Sequence, residues 1–294
     1  MTQPVLAIGN FDGVHKGHQA LLHQAKNFAT ASQAPLWVLT FDPHPRQFFV
    51  PTAPPFLLTT LAQRLALLAE CGVDNVLVEN FDTAFSRLTA QKFIDAVLIK
   101  KINAQSIFVG ADFKFGSQRT GNVALLQQLG LVVPPIKLEQ DVAGTISATR
   151  IRQLLQQGQV AQANTLLGRP WQVQGVVQQG AQRGRTLGFP TANIAWPQNL
   201  LVPSLGVYAG VAVLPHGQKY KAVANTGTRP TVNQGFDVRL EVHLLNYTGD
   251  LYGAELVFEV QHFIRPEQKF DSLDALKAQI QHDVREVLSR ESAL

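Results

Sequence analysis

The run Gly9-Asn10-Phe11-Asp12-Gly13-Val14-His15-Lys16-Gly17-His18 constrains this chain more than any other stretch. Before it, Val5-Leu6-Ala7-Ile8 reads as a short strand; after it, Leu21, Leu22, Ala25, Phe28 and Ala29 recur on one face of a helix. A glycine-rich turn between strand and helix leaves the first helical amides without intrahelical partners, and those amides favour an anion such as phosphate. His15 and His18, three residues apart, fall on one side of the first turn. Each can donate a hydrogen bond to phosphate and become more cationic as negative charge develops. Gly13 and Gly17 let the backbone come close to a ligand. Taken alone, a tight turn with two solvated histidines would explain the same residues.

The pattern Gly-x-Phe-Asp-Gly followed by His-x-Gly-His resembles the nucleotidyltransferase superfamily. More narrowly, it is similar to the N-terminal module of the bacterial bifunctional riboflavin kinase/FMN adenylyltransferases, or FAD synthetases. By that resemblance Gly9, Asn10, Phe11, Asp12 and Gly13 bind nucleotide, and His15 and His18 act in adenylyl transfer.

A chain of 294 residues is long for one core, so two domains are expected. The junction is read at Leu166-Leu167-Gly168-Arg169-Pro170, where a helix-stopping glycine precedes a proline, which gives domains 1–168 and 169–294. Charge is spread evenly across it, with 13 Lys and Arg against 10 Asp and Glu before the junction and 12 against 11 after. A nucleic-acid binder concentrates basic residues, so no nucleic-acid partner is expected, and small molecules are. The oligomeric state is left open. The single cysteine, Cys71, cannot form an internal disulfide, which fits a reducing cytoplasm. The N-terminus lacks a basic leader, and Gln63, Arg64 and Glu70 interrupt the most apolar long window, so neither signal peptide nor membrane span is expected.

Leu36 to Phe41 is apolar on consecutive positions, as in a strand covered on both faces. Val76-Leu77-Val78 and Ile107-Phe108-Val109 add strands. A helix from Leu61 to Cys71, capped by Thr59 or Thr60 and stopped by Gly72, and another capped by Thr89 with Phe93, Val97 and Leu98 inward, alternate with them. That rhythm predicts a doubly wound parallel sheet. At strand ends lie the loop Asp42-Pro43-His44-Pro45-Arg46 and the stretch from Gly110 to Gly121. On spacing alone Phe113 and Phe115 are packing residues; the resemblance implies that Asp112, Phe113, Phe115 and Arg119 build a flavin site. In Ile146-Ser147-Ala148-Thr149-Arg150-Ile151-Arg152, Ser147 and Thr149 would serve simply as caps, yet Arg150 and Arg152 in the first turns oppose the helix dipole unless an anion is also present. The family's motif has a second serine where Ala148 stands; by resemblance Ser147, Thr149 and Arg152 contact ATP phosphates.

From Tyr208 the pattern is β-rich, with Tyr208 to Val213, Val238 to Leu244 and Glu255 to Val260 separated by the turns Pro215-His216-Gly217, Asn233-Gln234-Gly235 and Tyr247 to Asp250. This reads as an antiparallel barrel or sandwich. Leu273, Leu276, Ile280, Val284, Val287 and Leu288 mark a terminal helix packed on it. Gly180-Ala181-Gln182-Arg183-Gly184-Arg185-Thr186-Leu187-Gly188 is a glycine-rich, arginine-bearing stretch suited to phosphate, though not a Walker A loop. After it, Thr191 and Asn193 point the same way and offer neutral oxygens to a Mg²⁺ that keeps most of its water. Glu241 lies opposite in face to Leu240 and Val242, usually the solvated side of a sheet.

These segments, with Asn225 to Thr231 and Asp250 to Gly253, resemble the riboflavin kinase module. The implied chemistry is phosphorylation of riboflavin to FMN with MgATP, Glu241 being the base and Gly180, Arg183, Gly184, Arg185 and Gly188 holding nucleotide, then adenylylation of FMN to FAD. A barrel that only holds substrate, and a flavin-sensing protein without turnover, are the competing readings.

Overall fold

The computed structural model describes residues 3–136, 139–142, 144–180, 188–230 and 236–290. The chain divides into two compact units, one of Met1–Pro54 and Thr59–Ala148, the other of Pro55–Leu58 and Thr149–Leu294.

In the first unit β1 (Val5–Ile8), β2 (Leu36–Asp42), β3 (Asn75–Asn80) and β4 (Ser106–Phe108) form a parallel sheet in the order β3-β2-β1-β4. The alternation along β1 explains its fully apolar sequence. Leu6 and Ile8 enter a core with Phe93, Ile94 and Leu98, whereas Val5 and Ala7 enter one with Leu21, Leu22 and Ala25. Those last three residues lie on α1 (Lys16–Ala31), whose predicted apolar face is therefore the buried one. The stretch read as a loop after β2 becomes instead a short helix, α2 (Pro45–Phe49). His44 caps it by accepting from the Arg46 N–H at 3.0 Å, and Pro45 suits a first helical position. Thr60, rather than Thr59, caps α3 (Leu61–Glu70) in a reciprocal box with Gln63. The helix capped by Thr89 continues as a π-helix over Phe93–Lys101. A two-stranded pair, β5 (Gln140–Asp141) and β6 (Gly144–Thr145), precedes the end of the unit.

In the second unit, helices Ala148–Gln156, shared at its first residue, and Val160–Leu167 lead into six strands. Gly168, at φ 77°, ends the second of them. The strands β7 (Trp171–Gln178), β8 (Ala192–Ala195), β9 (Gly206–Val213), β10 (Lys219–Pro230), β11 (Phe236–Leu244) and β12 (Glu255–Pro266) close an antiparallel barrel in the order β10-β11-β8-β7-β12-β9. Closure leaves no open edge, which settles barrel against sandwich. Leu240, Val242, Leu256 and Phe258 are buried. Outside, Val207, Ala209 and Val223 pack under Val287 of the terminal helix, Leu273–Ser289. Three strands escaped the sequence reading: β7 and β10 carry Gln, Gly, Lys and Asn among their apolar residues, and β8 is only four residues long.

Candidate active sites

The Gly9–His18 turn starts where β1 ends. Neighbouring strands β2 and β4 follow β1 on opposite sides, so chain order reverses here, at the position where open α/β sheets bind ligands. Backbone, more than side chain, forms the turn. Phe11, Asp12 and Val14 are buried, and Phe11, Gly13 and Val14 take φ of 49°, 79° and 37°. For non-glycine residues such angles cost on the order of 1–3 kcal/mol each and persist only where the surroundings enforce them.

The enforcing contacts are polar. The Asn10 carbonyl accepts from Thr40 Oγ1 at 3.2 Å and from Arg64 Nη1 at 3.0 Å, while Arg64 Nη2 donates to the Phe41 carbonyl at 3.0 Å. Thr59 donates its N–H to Asp12 Oδ1 at 3.2 Å and accepts the Gly13 N–H on Oγ1 at 3.1 Å. Asp12 thus faces inward. Arg64 is 4% exposed. Burial lowers the pKa of its guanidinium, and the nearby carboxylates of Asp12 and Asp42 oppose that shift. Sequence reasoning saw Arg64 only as a break in an apolar window; its partners are 54 and 23 residues away, and no local pattern reveals them.

His15 caps α1, its Nδ1 accepting from the His18 N–H at 3.3 Å. An accepting nitrogen carries no proton, so the hydrogen of the neutral ring lies on Nε2. The His18 ring stacks on it at 3.7 Å between centroids and meets Phe11 edge-on at 5.2 Å. A Cβ on Gly17 would sit 3.2 Å from His15 and 3.3 Å from the Ile146 carbonyl, so the start of the Ile146–Arg152 motif lies against this turn. Ser147 is partly buried. Thr149 and Arg152 belong to the second unit, where Arg152 Nε donates to the Phe56 carbonyl at 2.7 Å and the guanidinium covers the Phe56 ring.

The loop after β4 is closed by paired hydrogen bonds between Phe115 and Gly121. Asp112 and Arg119 are exposed, and Phe113 is half-buried. Phe115 is 7% exposed and joins the core against Phe93, with Phe113 stacked on it at 5.4 Å. Phe115 is therefore placed to support the Phe113 ring from below.

In the barrel, Glu241 pairs with Asn193 on one side and Asn225 on the other. Around them lie two cavities. One, of ≈ 520 Å³, is lined by Pro190, Thr191, Asn193, Tyr247 and Asp250; the other, of ≈ 390 Å³, by Thr191, Asn225, Glu241, His243, Arg265 and Phe270. Thr191 borders both. Glu241 is partly buried, and Leu276, Ile280 and Asp283 of the terminal helix line the same cavity. Asp283 is held there by both oxygens on Arg265, with Nη2 at 2.8 Å.

Asn193 is 7% exposed, and its Oδ1 meets no hydrogen-bond donor among the described residues. A buried acceptor without a donor suits a cation or a ligand. The described residues contain no group of three or more His, Cys, Asp and Glu that could hold a metal, so a cation here would rely on neutral oxygens and on its substrate. A Cβ on Gly180 would come within 2.4 Å of the Asn193 amide, which explains a glycine there. His243 Nδ1 lies 2.7 Å from the Pro190 carbonyl, and its ring meets Phe189 edge-on, so it ties down the segment leading to Thr191. Gly188 takes φ 89°. Arg183, Gly184 and Arg185, and the Asn233-Gln234-Gly235 turn, lie outside the described residues.

A buried turn at the switch point of a parallel sheet in one unit and a closed antiparallel barrel with two cavities in the other make this a two-module α/β-plus-β-barrel protein. The FAD synthetase family model matches residues 1–150 and the riboflavin kinase model residues 167–290. The chain belongs to the bifunctional riboflavin kinase/FMN adenylyltransferase family. It is 44% identical to the protein of that name from Escherichia coli K12, over 98% of this chain and 92% of the relative. It is 40% identical to that of Haemophilus influenzae, over 95% and 91%. A solved structure from Streptococcus pneumoniae, titled a macrolide-efflux protein, superposes with a TM-score of 0.88 at 34% identity, covering 99% of this chain and 96% of that one. Efflux has no counterpart in the two family models, and no helix among the described residues is long and apolar enough to cross a membrane.

Proposed function

We infer that this chain phosphorylates riboflavin to FMN with ATP and then adenylylates FMN to FAD with release of pyrophosphate. Support comes from the two family models in one chain and from Thr191, the common wall of two cavities with Asn193 in one and Glu241 in the other. We assign the adenylyl step to residues 1–168 and the kinase to 169–294. The cytoplasm is the proposed compartment.

For the kinase, the larger cavity takes ATP and the smaller one riboflavin, so that the γ-phosphate and the ribityl chain meet beside Thr191. Glu241 accepts the proton of the terminal ribityl hydroxyl as that oxygen bonds to the γ-phosphorus and the bond to ADP breaks. Thr191 Oγ1 and Asn193 Oδ1 are the proposed Mg²⁺ ligands. When bound there, the ion supplies positive charge to the phosphates. Gly180, Arg183, Gly184, Arg185 and Gly188 are assigned to the nucleotide.

For the adenylyl step, a phosphate oxygen of FMN attacks the α-phosphorus of a second ATP, and the bond to the bridging oxygen of pyrophosphate breaks. No protein nucleophile is required. The Gly9 to Gly13 stretch, the Nε2 hydrogen of His15, and His18, Ser147, Thr149 and Arg152 are assigned to the charge that develops on the phosphates. Asp112, Phe113, Phe115 and Arg119 are assigned to the flavin, Phe115 as support. Incubation with riboflavin, ATP and Mg²⁺, followed by separation of flavins over time, tests the whole reading. FMN first and FAD after is expected; FAD from added FMN with nothing from riboflavin would reduce the barrel to a binding domain.

A further inference from the structure

Arg64 lies in the first turn of α3, outside the stretches that pointed to the adenylyl site, yet its side chain returns to the phosphate turn. Its two terminal nitrogens bridge the Asn10 carbonyl, in that turn, and the Phe41 carbonyl, near the end of β2. Thr40, fully buried, supplies a second donor to the Asn10 carbonyl. Both donors come from the interior. In a planar trans peptide the carbonyl and the following N–H point in opposite directions, so a carbonyl held inward turns the Phe11 N–H away from the core. Nε of Arg64 is buried and meets no acceptor among the described residues. A buried charge with one donor unmet is a poor way to stabilise a fold. Its purpose is better sought in the geometry it imposes on a turn whose Phe11 and Val14 have φ of 49° and 37°.

Resting on the adenylyltransferase reading above, we propose that Arg64 is a positioning residue for adenylyl transfer, which with Thr40 locks the Asn10–Phe11 peptide so that the Phe11 N–H faces the ATP phosphates. It touches neither substrate. The whole of its effect passes through the turn, and Lys cannot replace it fully because one ammonium group lacks the fork that reaches two carbonyls.

The test uses the full chain with Arg64→Lys, Arg64→Met and Thr40→Val, and starts from FMN so that the kinase step is bypassed. A displaced turn weakens its hold on ATP, so KM for ATP should rise about tenfold in Arg64→Met, with kcat/KM down about 100-fold, while KM for FMN stays put. Arg64→Lys and Thr40→Val should fall between Arg64→Met and wild type. A merely structural role would reduce the amount of active enzyme and leave KM for ATP where it was. Riboflavin phosphorylation by the same preparations should remain within about twofold of wild type. KM for ATP unchanged in both Arg64→Lys and Thr40→Val would overturn the proposal, and these two decide the matter if Arg64→Met does not fold. A wild-type protein that makes no FAD from FMN would instead remove the reading on which the proposal rests.

Discussion

Asn193 stands directly opposite Glu241 in the β8–β11 ladder, and each borders a different cavity. The pairing places a neutral oxygen that meets no donor among the described residues next to a carboxylate at the point where two substrates would meet. Replacing Asn193 by Ala should raise the Mg²⁺ needed for half-maximal kinase rate by about 10- to 100-fold. Gly180→Ala should act the same way at a distance, because its added methyl would drive the Asn193 amide aside. Flavin chromatography at graded Mg²⁺ checks both, and FAD formation from FMN should be unaffected in each.

Glu241→Gln keeps the shape of the side chain and removes its ability to take a proton. The expected loss in riboflavin phosphorylation is on the order of 10²- to 10⁴-fold, with KM for riboflavin little changed. Turnover within threefold of wild type would remove Glu241 as the base.

Asp283 is 1% exposed and receives both Arg265 and Gln279, which fixes the terminal helix over the Glu241 cavity. Asp283→Ala leaves the Arg265 charge without its partner, and breaking a buried pair in this way costs about 3–5 kcal/mol. Chemical denaturation should show that loss. At temperatures where the variant stays folded, KM for riboflavin should rise, since Arg265, Phe270 and Asp283 all line that cavity.

Asp74 gives a pH signature in the first unit. The hydrogen bond from Lys26 chiefly, and then that of the Leu36 N–H at 2.7 Å, hold its carboxyl below the usual 3.8, with partial burial opposing. A carboxylate with a depressed folded pKa stabilises fully above its unfolded value, and the contribution disappears as pH falls through the folded value. Its side chain is 44% exposed, so solvent screening keeps the effect below about 1 kcal/mol. Asp74→Asn should therefore lower Tm slightly at pH 7 and match wild type once the pH has fallen through the depressed folded value of Asp74.

Much of this was legible because it was local. The β1 strand, the glycine turn and the apolar face of α1 follow one another within 31 residues and dictate one another. Glu241 could be placed on the outer face of its strand by alternation alone. What alternation could not show is the roof: Leu276 and Asp283 reach that cavity from more than 30 residues further along the chain. The same limit hid Arg64 and His243, whose partners are carbonyls, groups that every residue carries and no motif marks. Phe113 and Phe115 show a subtler limit. Their spacing is consistent with packing or with a site, and the fold divides the two roles, burying Phe115 and leaving Phe113 half-covered above it.

His15 holds two jobs that a substitution can separate. Its Nδ1 caps α1, and its Nε2 hydrogen is the donor assigned to phosphate. Asn is among the best helix caps and accepts from the same amides, but its side chain is too short to reach where Nε2 stands; Ala does neither. His15→Asn should then unfold close to wild type, and His15→Ala should lose about 0.5–2 kcal/mol. FAD formation from FMN should fall about 100-fold in both, with riboflavin phosphorylation intact. If His15→Asn instead forms FAD at the wild-type rate, the ring matters only as a cap, and the charge on the transferred phosphate must be met by the Phe11 N–H and His18. That outcome would shift the chemistry further onto the backbone that Arg64 braces.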